Sequence, residues 1–128
     1  MAVLTRPEVL VITMDHHVDP VLERFASSAG WLLAIRPARG ELLRRLRRCP
    51  PQTLLFWLSA LEGLDESIAL IATVRQRVPE IPRIALGLWP DDELETAVRA
   101  AGANVYVQGE NEIDGLQEAM AAVRRLPR

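Results

Sequence analysis

The hydrophobic positions of this chain fall into two alternating patterns. Short apolar runs at residues 9–13, 31–35, 53–58, 83–88 and 104–108 are separated by longer stretches in which apolar residues recur at helical spacing. Runs that are apolar throughout are expected of strands covered by helices on both faces. In the first helical stretch Pro20 suits the opening turn, and Val21, Leu22, Phe25 and Ala29 form a stripe that ends at Gly30. Leu42, Leu43 and Leu46 mark a short arginine-rich second helix stopped by Pro50 and Pro51, and Ile68, Ile71, Ala72 and Val78 lie on one side of a third. Asp91 offers an N-cap to a fourth helix, whose Leu94, Ala97, Val98 and Ala101 face inward and which stops at Gly102. Ile113, Leu116, Ala119, Met120 and Val123 define the last. Five strands alternating with five helices predict one α/β domain over 1–128, a flavodoxin-like, doubly wound parallel sheet. Ligands of such sheets sit outside the carboxyl ends of the strands, which singles out residues 13–17, 57–61, 87–89 and 108–110.

Composition narrows the chemistry. A chain of 128 residues buries enough surface to fold without a metal or disulfide staple, and the single cysteine, Cys49, can form neither an internal bridge nor a zinc cluster. The N-terminal residues carry no leader pattern, and no apolar run reaches the roughly 18 residues of a membrane span, so a cytoplasmic protein without a membrane partner is expected. All 15 positive residues are arginine. The absence of lysine excludes a phosphate loop and Schiff-base catalysis. A net charge of −2 gives no global basic field to hold nucleic acid.

The order and spacing of several motifs resemble the receiver domains of two-component response regulators over nearly the whole chain. Residues 9–57 follow the receiver pattern without a gap: strand, acidic turn, helix ending in Ala29 and Gly30, Trp31, second strand, helix, two prolines, third strand. "VPEIPRIAL" at 78–86 looks like the receiver entry to the fourth strand, and "AGANVYV" at 101–107 looks like the opening of its fifth. A working receiver needs an aspartate to take the phosphoryl group, two further acids for magnesium, and a hydroxyl and a lysine to meet the transferred oxygens. Here the acidic pair falls on Thr13 and Met14, with Asp15 the nearest carboxylate; the phospho-acceptor falls on Trp57, the hydroxyl on Gly87 and the lysine on Gly109. The resemblance therefore implies a pseudo-receiver, with no enzymatic activity and no cofactor, that signals by docking to another protein. The docking face of the family is the fourth helix, fifth strand and fifth helix. It would present Glu95, Thr96, Arg99 and Tyr106, the last at the aromatic switch position, and the same face is compatible with a homodimer. For Tyr106 a second reading stays open, a half-buried ring packed over the sheet edge with its hydroxyl in water.

Other residues carry competing readings. Asp15, His16, His17 and Asp19 form a polar cluster at a strand end, but ligands drawn from one loop would point in different directions, and a solvated turn is the simpler account. Asp15 and His17, with Ser59 and Leu61 after the third strand, also resemble the cobalamin-binding domains. That family's slot for the nucleotide tail is lined by paired glycines, where this chain has Gly87 followed by Leu88 and Trp89. Trp57 and Trp89 could stack on a flat ligand or fill the cleft, and we expect Trp57 to plug it. Arg39, Arg44, Arg45, Arg47 and Arg48 make an arginine patch that is either a solvated face or an anion site, for example for a cyclic dinucleotide.

Overall fold

The computed structural model describes residues 8–58, 63–88 and 91–126. Three strands, β1 (Val9–Thr13), β3 (Thr53–Leu58) and β4 (Arg83–Gly87), are buried at every position, as their unbroken apolar runs require of central parallel strands. β2 (Leu32–Ile35) and β5 (Val105–Gln108) are shorter and form the two edges. The sheet order is β2-β1-β3-β4-β5, with all neighbours parallel. The helices are α1 (Pro20–Ala29), α2 (Arg39–Arg48), α3 (Leu64–Arg77), α4 (Asp92–Ala101) and α5 (Glu112–Arg125).

Strand side chains alternate between two cores. Leu10, Ile12, Leu54, Phe56 and Leu58 meet Leu42, Leu46, Ile71, Val74, Leu94 and Val98, so α2, α3 and α4 form one layer. Val9, Val11, Leu55, Trp57, Ile84 and Leu86 meet Leu22, Ala26, Leu116, Ala119 and Val123, so α1 and α5 form the other. This is the doubly wound architecture expected from the hydrophobic pattern. Among the described residues no helix is long and apolar enough to cross a membrane.

Several boundaries and helix faces differ from the sequence reading. Trp31 precedes β2 and instead packs edge-on against Phe25, ring centroids 5.3 Å apart. Leu88 lies past the end of β4, and Asn104 precedes β5, where its side-chain oxygen accepts from the Arg83 backbone N–H at 2.7 Å. Ile113 is 61% exposed rather than inward. Asn111 caps α5 by accepting from Asp114 N, which fixes the helix phase so that Gly115, Leu116, Ala119, Ala122 and Val123 face the sheet. Ala72 also faces outward, because α3 buries Ser67, Leu70, Ile71 and Val74. Val21, in the first turn of α1, is exposed as well.

At the amino end of the sheet Arg83 is buried, and its guanidinium ties two loops together. Nε donates to the Gly102 carbonyl at 2.7 Å and Nη1 to those of Ile81 at 2.7 Å and Pro79 at 3.1 Å. Burial lowers the pKa of this group, with Arg75 adding to the effect, yet an arginine stays charged at any physiological pH. Arg83→Met keeps the volume and removes the donors. It is expected to lower the unfolding free energy by about 3 kcal/mol in urea titrations, since three carbonyls lose their partner; a loss below about 1 kcal/mol would show that they are satisfied otherwise.

Candidate functional site

The positions that the receiver resemblance assigns to phosphoryl chemistry lie at the carboxyl ends of β1, β3, β4 and β5, each in a different environment. Thr13 is buried, and its hydroxyl accepts from the Asp15 backbone N–H at 3.2 Å. Met14 is half-buried against the core of the α2–α3–α4 layer. Trp57 is 1% exposed and belongs to the core beneath α1 and α5; its indole N–H has no hydrogen-bond partner among the described residues. It is paired in register with Thr13 on one side and Leu86 on the other.

The last two positions are closed by direct contact. A Cβ on Gly87 would collide with the Tyr106 hydroxyl, because the tyrosine ring lies directly over this glycine. Tyr106 is 9% exposed, and its hydroxyl is buried with no partner among the described residues. The hydroxyl is thus not in water, which corrects the half-exposed reading of this residue. Burial raises the Tyr106 pKa, and the carboxylates of Glu95, Asp91 and Asp92 raise it further. A Cβ on Gly109 would collide with the backbone of Gly115. The two glycines allow the first turn of α5 to lie on the end of β5.

One residue at this rim escaped the sequence reading. Arg36 directly follows β2 with φ 45°, in the left-handed region although it is neither glycine nor asparagine and precedes a proline. Two bonds hold it there: its backbone N–H donates to the Thr13 carbonyl and its Nη1 to the Met14 carbonyl, both at 2.8 Å. A guanidinium therefore reaches over the loop after β1. No periodicity argument predicts this, although an arginine directly after a strand at the ligand-bearing end is the signal that could have drawn attention to it.

The neighbouring polar cluster does not converge. Asp19 caps α1, accepting from the Val21 N–H at 2.8 Å, while His16 and His17 are exposed and Asp15 is half-buried. Among the described residues no three His, Cys, Asp or Glu side chains gather closely enough to hold a metal. Ser59, Leu61 and Trp89, invoked for a cobalamin-like or flat ligand, lie outside the described residues. The space over Gly87 that a nucleotide tail would need is filled by Tyr106, and Leu88 packs on Gly115.

On the face that the resemblance assigns to docking, Thr96 and Arg99 are exposed and Glu95 is half-buried. Arg99 Nε donates to Glu95 Oε2 at 2.9 Å, and the Thr96 hydroxyl donates to the Asp92 carbonyl at 2.8 Å. These three residues and Tyr106 thus come together on α4 and β5. The arginine patch lies elsewhere: Arg39, Arg44, Arg45, Arg47 and Arg48 are exposed along α2, on the same helix layer but towards the opposite edge of the sheet.

No family model matches the chain, and neither does any curated protein. Solved structures do. A CheY-like protein, tadZ, from Pseudomonas aeruginosa PAO1 superposes with a TM-score of 0.65 at 22% identity, covering 89% of this chain and 98% of its own. A response regulator from Thermotoga maritima gives 0.63 at 23% identity, with 93% and 98% covered. A CheY-like receiver domain protein from Methanospirillum hungatei JF-1 gives 0.63 at 17%, with 92% and 94% covered. The fold is that of the CheY-like response regulator receivers.

Proposed function

We propose that this chain is a receiver-like signalling domain that works without phosphorylation, by docking a protein partner on the face formed by α4, β5 and α5. The observation that carries this reading is the Tyr106 ring seated over Gly87 on one face of the sheet, with Trp57 buried in the core of the other face and Gly109 in backbone contact with Gly115. A phosphoryl group needs a carboxylate acceptor, a divalent ion and room for its oxygens. The described strand ends supply buried apolar side chains and backbone instead. An aromatic ring held inward makes the surface between α4 and β5 a fixed shape, which suits recognition by a partner. Enzymatic turnover finds no base and nucleophile pair among these positions.

Two measurements test the reading together. Magnesium with beryllofluoride should leave the thermal midpoint of the purified domain unchanged, since a ligand that binds the native state would raise it by mass action. Partner capture should succeed with the wild type and fail with a Glu95→Ala, Thr96→Ala, Arg99→Ala variant. A midpoint shift would mean that the pocket is open, and capture unaffected by the triple change would move the docking face elsewhere.

A further inference from the structure

The positive charge of this molecule is concentrated on one helix at one edge of its sheet. α2 carries five arginines against the single acid Glu41, while the rest of the chain carries ten arginines against sixteen acids. Among the described residues none of the five arginines forms an ion pair, and Arg44, Arg45 and Arg48 line one groove of about 330 Å3. Beside it the free edge of β2 exposes Leu32 (43%) and Ile35 (48%). A second groove of about 430 Å3 there, floored by Leu33, Ala34 and Pro37, shares Arg45 and Glu41 with the first. The opposite edge has the complementary make-up. After the Asp91 cap, α4 begins with Asp92, Glu93 and Glu95, and the half-buried small residues Ala97 and Ala101 lie on the same helix.

We infer that the α2–β2 edge of one copy takes the α4–β5 edge of a second copy, so that the chain associates head to tail. Three features point to this occupant rather than to a small anion. α2 is ten residues long, about 15 Å, so its arginines spread over a length that one phosphate cannot span. α4 is also ten residues long. The two helices belong to the same layer, with α3 between them, so that copies placed side by side bring the basic α2 of one next to the acidic α4 of the other. Because the two patches are different, the contact is heterologous, and each added copy leaves a free basic edge and a free acidic edge; growth proceeds to an open chain or a closed ring. The inference rests on fold and charge and stands without the docking reading, although a protein bound on α4 would end a chain at that copy.

Sedimentation velocity on the purified domain tests this. Species beyond the dimer should grow with concentration at about 20 mM salt and weaken at least about tenfold at about 500 mM, because exposed charges are screened. Arg44→Glu, Arg45→Glu, Arg48→Glu should sediment as a monomer, and so should Asp92→Arg, Glu93→Arg, which leaves the Asp91 cap in place. Combining both sets in one chain restores opposite charges on the two edges and should restore assembly. Should a reversal variant fail to fold, Arg→Gln at the same three exposed positions should still weaken association about tenfold, the size of effect expected from losing several charge pairs. A wild type that stays monomeric at about 1 mM in low salt overturns the inference. A dimer that stops at two, or a combined variant that stays monomeric, overturns it equally. A monomer that binds polyglutamate would assign the arginines to a foreign acidic partner.

Discussion

Trp57→Ala will lower the unfolding free energy of this domain by about 3–5 kcal/mol, the cost of emptying a large aromatic site in a packed core. In a domain of this size that is a fall of about 10–20 °C in the thermal midpoint. Trp57 sits on a central strand between two other buried strands, so neighbouring backbone cannot collapse into the space, and the upper half of the range applies. Trp57→Phe should cost much less, because it also removes an indole N–H that has no partner among the described residues. Trp57→Asp should be worse than alanine, since a carboxylate would enter an apolar site. It should acquire no hydroxylamine-labile acyl-phosphate label from magnesium and acetyl phosphate. Clean labelling of that variant would sink the closed-pocket reading.

The second large effect concerns the ring over Gly87. Gly87→Thr places a side chain where the Tyr106 hydroxyl now lies, and the ring must rotate out towards solvent at the α4–β5 edge. The stability cost is about 1–3 kcal/mol, as for other overpacked cores. The sharper readout is optical, because Tyr106 is the only tyrosine and its ionisation can be followed without interference. In the wild type burial, then Glu95, Asp91 and Asp92, hold its pKa above the ordinary value; in the variant it should return towards about 10. The linked effect on stability has a definite sign. A raised folded-state pKa favours the protonated phenol, so this stabilisation is complete below the unfolded value near 10 and is lost as pH rises through the folded value. Alkaline unfolding should therefore be steeper in the wild type than in Tyr106→Phe. Equal alkaline limbs would mean that the hydroxyl is hydrated.

The central strands were legible because a parallel sheet covered on both faces leaves no polar alternation to obscure them: β1, β3 and β4 appear as uninterrupted apolar runs. Helix phase was less so. Ile113 and Ala72 look like members of an inward stripe, but a shift of one residue turns a side chain by about 100°, and the packing of each helix on the sheet decides which residues are buried. Arg83 reads only as the start of the fourth strand, since nothing in the sequence announces that three carbonyls from two loops converge on it. The candidate site was half legible. The resemblance gave the residues that stand at the strand ends, whereas contacts between residues far apart in sequence, such as Tyr106 over Gly87, are encoded by no local pattern.

The meeting of Gly109 and Gly115 bears on any attempt at transplanting receiver chemistry into this chain. Introducing acids at Thr13, Met14 and Trp57 alters side chains only, but a lysine at Gly109 has to displace the backbone of α5. Gly115 is itself hemmed in by Leu86 and Leu88, so the helix cannot simply slide along the sheet. A functional graft thus calls for a redesigned helix start, with a longer connection after β5. Side-chain editing alone stops one residue short.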